Sequence, residues 1–216
     1  MSERVHEHQH RPYLPAMGHR RLIGFYDLLT RLAGVPRMHR ALVDRAAVEP
    51  GMDVLEIGCG TGNLALLVRR RRPTARVIGI DPDDRALGRA RTKAARRRLE
   101  VTFEPHYADD LPYPDQSQDR VLSSLMFHHL DPEQKQGALA EALRVLRPGG
   151  ELHLLDFSDG GAHRRRVPDR FAAGTGDRIP EALRAAGFTD VARTGTVSAR
   201  FGTGRCAMFR AVKPRP

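Results

Sequence analysis

The sequence predicts an α/β fold built on a doubly wound parallel sheet, and three observations lead to this prediction. Short apolar runs rich in β-branched residues alternate with amphipathic helical stretches through most of the chain. The first run passes directly into a turn that has glycine at every second position: Gly58, Gly60 and Gly62. Turn residues or a glycine follow most of the helical stretches. Strands joined through helices run parallel, so we expect helices on both faces of the sheet and ligands at the carboxyl ends of its strands.

Length and composition limit the class of protein. The 216 residues are enough for one domain of ordinary size with a short appendage. The two cysteines, Cys59 and Cys206, lie far apart and form no disulfide framework. No apolar run approaches the ~20 residues that span a bilayer. We therefore expect a cytoplasmic protein without a membrane-spanning segment.

The first 48 residues are expected to precede the sheet. Residues 1–17 are polar and rich in histidine, which predicts a flexible N-terminal arm. These histidines lack partners at metal-ligand spacing, so we expect no metal site. Residues 18–48 carry apolar residues at helical spacing, interrupted by Gly34-Val35-Pro36, and are expected to form a cap of two helices.

Residues 49–216 are expected to form the sheet domain. The predicted strands cover residues 54–57, 77–81, 101–103, 120–124, 151–156, 190–197 and 205–212, and the predicted helices cover residues 61–72, 83–98, 132–146 and 178–186. Residues 147–150, Arg-Pro-Gly-Gly, are predicted to end the third of these helices as a turn. Residues 158–176 are rich in glycine and predict a short loop at the ligand edge, and the last two strands form a hairpin.

The glycine turn is predicted to be a cofactor cradle. Without Cβ atoms its backbone can adopt positive φ and approach a ligand closely, beside the N-terminus of a helix. The glycines alone leave several nucleotide cofactors open. Glu56, just before the turn, would repel a pyrophosphate but favour a cationic group, and Asp81 at the end of the second strand can accept from both hydroxyls of a ribose. A nucleoside with a cationic tail fits both carboxylates.

Four motifs in this order resemble the class I S-adenosylmethionine-dependent methyltransferases. They are Glu56-Ile57-Gly58-Cys59-Gly60-Thr61-Gly62, then Asp81, then Ala108-Asp109-Asp110-Leu111-Pro112, and finally Leu143-Arg144-Val145-Leu146-Arg147-Pro148-Gly149-Gly150. The chain is most similar to the small-molecule enzymes of the ubiquinone/menaquinone-biosynthesis type, through Phe25-Tyr26-Asp27 and the Pro-Gly-Gly stretch. The resemblance implies a Rossmann-like sheet of seven strands with the last strand antiparallel.

The resemblance also implies a role for each residue of the cofactor site. The loop residues Gly58, Cys59, Gly60, Thr61, Gly62 and Asn63 would surround the methionine part of S-adenosylmethionine. Glu56 would favour its ammonium and sulfonium groups, directly or through water, and Asp81 would hold the ribose. Pro82, Ala108 and Asp109 would contact the adenine, and Ser124 and Leu125 would line the sulfonium side. For Cys59 a packing role is favoured over a nucleophilic one.

The catalytic candidates follow the fourth strand. His128 and His129 are candidates for a general base because histidine is the residue type best suited to accept a proton near neutral pH. The alternative is that one of them caps the next helix or contacts the cofactor. Tyr26 would either close over the site or belong to the core. Methyl transfer from a sulfonium is an in-line displacement, which depends chiefly on alignment of the two reactants.

The leading hypothesis is an enzyme that methylates a small molecule at O, N or C. The alternatives are an RNA or protein methyltransferase recruited by the arginines, and an inactive cofactor-binding partner subunit. The net charge of +10 is carried mostly by arginines spread over separate elements, so solvated helix faces are favoured over a nucleic-acid patch. Because the loop at residues 158–176 is short, a second subunit, as in a homodimer, could complete the pocket.

Overall fold

The computed structural model describes residues 34–158, 178–198 and 205–216, which contain seven strands and five α-helices. The strands are β1 Asp53–Ile57, β2 Arg76–Ile80, β3 Thr102–Glu104, β4 Gln118–Ser124, β5 Leu146–Phe157, β6 Thr189–Ser198 and β7 Arg205–Val212. The helices are α1 Val35–Ala46, α2 Asn63–Arg71, α3 Asp84–Arg97, α4 Pro132–Val145 and α5 Ile179–Ala185, with a 3₁₀ helix at Phe127–His129.

All seven strands belong to one sheet in the order β3-β2-β1-β4-β5-β7-β6. The pairs from β3 through β5 are parallel, whereas β7 runs antiparallel to both β5 and β6. The predicted seven-stranded, doubly wound sheet with an antiparallel last strand is therefore confirmed. The chain order reverses at β1, which lies between β2 and β4, and this switch point is where open α/β sheets bind ligands.

The sheet separates two apolar cores. One face packs against α1, α2 and α3, through residues such as Leu42, Leu66 and Leu87. The other face packs against α4 and α5, through residues such as Leu139 and Leu183. Central strands contribute to both cores, which explains why they read as continuous apolar runs.

The helix α1 begins inside the predicted break. Val35 is its first residue, Pro36 stands in its first turn, and Gly34 precedes it at φ 86°. A proline is tolerated there because the first amide groups of a helix have no partner within the helix. The other helix predicted for residues 18–48 lies outside the described residues, as does the arm at residues 1–17.

The turn predicted at residues 147–150 is wrong in its boundary. These residues belong to β5, and Gly149 and Gly150 exchange backbone hydrogen bonds with Lys213 just after β7. The register between β4 and β5 shifts in this region, between Gln118 and Arg120. Gly149 adopts φ +77°, so the segment bends as predicted but stays paired to the sheet. Residues 159–176 of the predicted loop lie outside the described residues.

Among the helices of the described ranges, none has the length and apolar content of a membrane-spanning segment. The same ranges hold no group of three or more metal-ligating side chains.

Candidate active site

The three glycines of the loop after β1 all adopt positive φ, at 72°, 51° and 75° for Gly58, Gly60 and Gly62. A Cβ atom on Gly58 would lie 2.2 Å from Met126 Cγ, and one on Gly62 would lie 2.6 Å from Phe103 Cζ. A Cβ atom on Gly60 would meet nothing within 4 Å. The outer glycines therefore serve close packing, and Gly60 faces open space where a ligand can approach the backbone.

Backbone hydrogen bonds attach this loop to the neighbouring strand. The Cys59 amide donates to the carbonyl of Ile80 at 2.8 Å, and the Gly60 amide donates to Asp81 Oδ2 at 2.8 Å. Cys59 itself is buried, and burial raises the pKa of its thiol well above the usual range. A thiol held protonated in this way is a poor nucleophile.

Glu56 stands on β1 with only 3% of its surface exposed. Its Oε2 accepts a hydrogen bond from the Ala65 amide in the first turn of α2, at 2.7 Å. Burial raises the pKa of Glu56 to about 8, although the Ala65 amide acts in the opposite direction, and the nearby Asp81 charge raises the pKa further. A cation placed beside this carboxyl would favour its ionised form.

Asp81 follows β2 and is half-buried. Its Oδ2 accepts from the Gly60 amide, and its Oδ1 accepts from the Asp83 amide at 2.9 Å. Burial raises the pKa of Asp81 to about 6, against the two amide donors. Each carboxylate oxygen can accept a second hydrogen bond, so this geometry leaves Asp81 the capacity to hold two hydroxyl groups.

The start of α2 is connected to α3 through polar side chains. Thr61 is buried, and its Oγ1 accepts a hydrogen bond from Asn63 Nδ2 at 3.3 Å. Lys93 Nζ of α3 donates to Asn63 Oδ1 at 2.8 Å. The structure thus brings both predicted loop residues to the site but also engages them in contacts within the protein.

The acidic loop after β3 contains Ala108 and Asp109, both half-buried, and the exposed Asp110. Its contact with α4 is close, since a Cβ atom on Gly137 would lie 2.8 Å from Asp109 Cβ. Pro82 is also half-buried and follows Asp81 directly on the neighbouring segment.

Further hydrogen bonds tie this acidic loop to α4 and to β3. The Leu111 amide donates to Glu141 Oε2 at 2.8 Å, and the Tyr113 hydroxyl donates to Glu104 Oε2 at 2.6 Å. Arg144 of α4 donates to the carbonyl oxygens of Leu111 and Tyr113 at 2.9 and 2.8 Å.

The end of β4 receives a residue that the sequence analysis did not single out. His39 of α1 places Nε2 3.1 Å from Ser124 Oγ, and burial, assisted by the charge of Lys93, lowers the pKa of His39 to about 4. His39 is therefore neutral at physiological pH. Leu125 follows at φ 56°, with its amide bonded to the carbonyl of Leu155. The available signal for His39 was a polar residue at helical spacing among the apolar residues of α1.

His128 and His129 form the 3₁₀ helix that follows β4, with ring centroids 4.0 Å apart. His128 is 3% exposed, and its Nδ1 lies 2.7 Å from Oδ1 of Asp156 at the end of β5. His129 is half-buried. Asp156 is not among the residues predicted from the sequence, although a carboxylate at the carboxyl end of a predicted strand was a usable signal. Tyr26 lies outside the described residues.

Burial alone would raise the pKa of Asp156, but the charge and hydrogen bond of His128, together with the backbone amides of Phe157 and His128, hold it below its ordinary value. Asp156 is therefore a carboxylate at physiological pH. A buried carboxylate beside an imidazole is an arrangement that orients a proton acceptor.

These features agree with the resemblance that the motifs carry. The doubly wound sheet with an antiparallel last strand, the glycine loop at its switch point, Glu56 on β1 and Asp81 after β2 are what a class I methyltransferase is expected to show.

Known proteins with related sequences and structures carry the same resemblance. Residues 54–150 match the family model described as a methyltransferase domain. The demethylmenaquinone methyltransferase of Thermus thermophilus is 41% identical over 135 residues, which cover 61% of this chain and 60% of that protein. The ubiquinone/menaquinone biosynthesis C-methyltransferase UbiE of Bordetella avium is 40% identical over 137 residues, covering 62% and 53%. The solved structure of the [4+2]-cyclase SpnF has a TM-score of 0.74 at 22% identity and covers 90% of this chain and 94% of that one.

Residues 54–150 therefore match a methyltransferase domain, and the resemblance to the class I S-adenosylmethionine-dependent methyltransferases that the motifs predict is confirmed. Its likeness to the ubiquinone/menaquinone-biosynthesis type is also confirmed. The matches span less than two thirds of the length of these two relatives. SpnF is called a cyclase, so likeness to that structure concerns the fold alone.

Proposed function

We propose that this protein transfers a methyl group from S-adenosylmethionine to a small-molecule nucleophile. The observation that carries the proposal is the junction of Gly60 and Asp81: an open glycine backbone is bonded directly to a carboxylate at the sheet's switch point. This junction suits a nucleoside whose ribose binds the carboxylate and whose tail lies along the glycine loop.

The donor set fits S-adenosylmethionine better than a dinucleotide. Glu56 is buried behind the loop with a raised pKa, and a cationic ammonium or sulfonium would recover the free energy lost by burying its charge. A pyrophosphate in the same place would be repelled. Asp109 and Ala108 would contact the adenine beside Pro82, and Ser124 and Leu125 would border the transferred group. When bound, S-adenosylmethionine supplies an electrophilic methyl group and is converted to a neutral thioether.

The acceptor that we propose to test first is a quinol. Both relatives described above are named for quinone biosynthesis, and the motifs of this chain resemble theirs. A quinol ring offers carbon and oxygen nucleophiles that are activated by loss of a hydroxyl proton, which a histidine such as His128 or His129 can accept. Methylation of a small amine at nitrogen likewise requires that the nucleophile lose a proton.

The arginines support a small-molecule acceptor over RNA. Arg71 pairs with Asp44, and Arg76 and Arg147 both pair with Asp53. Arg147 also pairs with Asp119, so each of these three arginines has a neighbouring carboxylate, and an enzyme without a nucleic-acid partner is the favoured interpretation. Gel filtration with light scattering would show whether it forms the homodimer that could complete the pocket.

The test of the proposed function is ligand binding to the Asp81→Ala variant. We expect S-adenosylhomocysteine at 100 times its Kd to stabilise the wild type by about 2.7 kcal/mol, since binding to the folded state alone gives that gain. Asp81→Ala removes the ribose acceptor and a bond to the loop, so the stabilisation should largely vanish. Denaturant unfolding with and without ligand measures both.

Asp84→Ala is the matched control, because Asp84 is an exposed carboxylate on the same segment. That variant should keep the full ligand-induced gain. Equal stabilisation of wild type and Asp81→Ala would contradict the proposed site, and binding of NADH in place of S-adenosylhomocysteine would contradict the proposed cofactor.

A further inference from the structure

Asp156 contacts both the side chain and the backbone amide of His128. Asp156 Oδ1 lies 2.7 Å from His128 Nδ1, and Asp156 Oδ2 accepts the backbone amide of His128 at 3.1 Å. Asp156 is 1% exposed, and the two residues are 28 positions apart in the chain. The carboxylate therefore connects the end of β5 to the segment that follows β4.

Two aromatic rings confine the imidazole. The Phe157 ring meets the His128 ring edge to face, with centroids 4.9 Å apart and planes at 80°. The His129 ring also contacts the His128 ring, with the two centroids 4.0 Å apart and the two planes at 41°. Packing against both rings opposes rotation of the imidazole about its side-chain bonds. The orientation of His128 is thus fixed by contacts as well as by the carboxylate.

Other charged groups face the same carboxylate. Lys135 of α4 lies within electrostatic reach of Asp156 and of Asp131, the residue that precedes α4. Burial lowers the pKa of Lys135, while both carboxylates raise it. Cys206 of β7 also lies within the electrostatic reach of Asp156. The negative charge of Asp156 therefore acts on both the His128 imidazole and the buried Lys135 ammonium.

We propose that Asp156 is a positioning residue for His128, and that Nε2 of His128 accepts the proton of a protic methyl acceptor. This inference rests on the proposed function. A carboxylate oxygen can only accept a hydrogen bond, so Nδ1 carries the proton and the lone pair of the neutral ring lies on Nε2. The proton of the acceptor's O–H or N–H moves to Nε2, and the electron pair left on oxygen or nitrogen forms the new bond to the methyl carbon. The methyl–sulfonium bond breaks at the same time, and its electron pair stays on the sulfur of the departing thioether. Where the pair is delocalised and the new bond forms at a ring carbon, the proton of that carbon then leaves to solvent and the ring is restored. The imidazolium that results is stabilised by Asp156.

The arrangement also defines the class of acceptor. A base of this kind accelerates reaction only where the nucleophile must lose a proton, as in a phenol, a quinol hydroxyl or an amine. It gives no advantage to a nucleophile that is already ionised at neutral pH. The pair thus points to a protic acceptor and away from carboxylates.

Nitrogen-15 NMR of histidine-labelled full-length protein tests the inference without any acceptor. In wild type we expect the His128 ring in the Nδ1–H form, identified by the loss of its signals in His128→Gln. In Asp156→Asn this preference should disappear. Asp131→Asn, which removes the other carboxylate near Lys135, should leave the His128 signals unchanged. An Nε2–H ring in wild type overturns the proposal, and that outcome does not depend on whether Asp156→Asn folds.

Two further measurements separate positioning from general damage. Asp156→Asn should bind S-adenosylhomocysteine within twofold of wild type, while methylation of a reduced naphthoquinol falls by about 10²-fold. An equal loss of cofactor affinity and rate would mean a merely structural role and would overturn the proposal. Failure of the wild type to bind S-adenosylhomocysteine would refute the proposed function, whereas the tautomer result concerns the pair alone.

Discussion

At the scale of single residues, the glycine loop shows that one motif can combine different physical requirements. Gly58 and Gly62 leave no room for a side chain, whereas Gly60 has open space beside it. All three share positive φ, which side chains with a Cβ rarely adopt. The loop's packing and its ligand contact can therefore be separated by substitution.

Alanine at Gly62 should act mainly on stability, and alanine at Gly60 mainly on ligand binding. Gly62→Ala places Cβ 2.6 Å from Phe103 Cζ and 2.8 Å from Ala90 Cβ, so overpacking and left-handed backbone strain should lower the free energy of unfolding by about 2 to 4 kcal/mol. Gly60→Ala should cost about 1 kcal/mol, from backbone strain alone. Its methyl group occupies the ligand's approach, so S-adenosylhomocysteine affinity should fall more than tenfold.

Urea denaturation and calorimetric titration of both variants measure these quantities. If Gly60→Ala bound the ligand as the wild type does, the open space beside Gly60 would not be the cofactor cradle. The alanines serve as controls for each other, since both remove a glycine of positive φ.

The residues that sequence reasoning missed share one property. Asp156 meets His128, and His39 meets Ser124, across 28 and 85 positions of the chain. Motifs with local spacing, such as the glycine loop and Asp81, are visible in a sequence because their neighbours are fixed by a strand and a turn. A contact between the ends of two strands, or between a cap helix and a strand, depends on the packing of the whole sheet.

At the scale of elements, the alternation of strands and helices was enough to predict the sheet and its direction. Parallel strands are joined by crossover helices, so a sequence whose periodicity alternates between strand and helix predicts a parallel sheet. The boundary near residue 147 could not be predicted in the same way, because Pro148 and Gly149 signal a turn locally. The carbonyl of Lys213 and the amide of Gly149 keep the segment paired, and that partner lies far away in the chain.

The tie between α4 and the acidic loop gives a prediction at this scale. Glu141 accepts from the Leu111 amide and from Arg144, and Arg144 lowers the pKa of Glu141. Glu141→Ala should therefore destabilise the protein by about 1 kcal/mol and loosen residues 108–113, since hydrogen bonds to a charged group are lost. Adenine contacts at Asp109 would weaken with the loop, so S-adenosylhomocysteine should bind several-fold less tightly.

Amide hydrogen exchange of the loop, with and without ligand, measures this loosening. Gln136→Ala is the control, because Gln136 is an exposed residue of the same helix. Unchanged exchange at the Leu111 amide in Glu141→Ala would show that the loop holds its position without α4.

At the scale of the whole molecule, the carboxylates divide into two groups that respond oppositely to pH. Hydrogen bonds from Arg76 and Arg147 hold the pKa of Asp53 below its usual range, against a smaller effect of burial. Burial raises the pKa of Glu56 to about 8 and of Asp81 to about 6. A carboxylate with a lowered pKa, such as Asp53, stabilises the folded protein as pH rises through the acid range. Carboxylates with a raised pKa, such as Glu56 and Asp81, destabilise it as pH rises further.

Glu56 should dominate the pH dependence of stability between about pH 5 and 8. In the unfolded chain a glutamate titrates near 4.3, so in this interval the folded protein holds a proton that the unfolded chain has released. The free energy of unfolding therefore falls as pH rises, until Glu56 ionises in the folded state near pH 8. Relative to Glu56→Gln, which cannot titrate, the wild type should lose about 3 kcal/mol between pH 5.5 and 8. Urea unfolding of both proteins across this range gives the difference, in which Asp81 and the surface groups cancel.

Glu100→Gln, at a carboxylate with a 90% exposed side chain, should follow the wild type. Parallel curves for wild type and Glu56→Gln would mean that Glu56 ionises freely in the folded protein and is not the buried acid that awaits a cationic ligand.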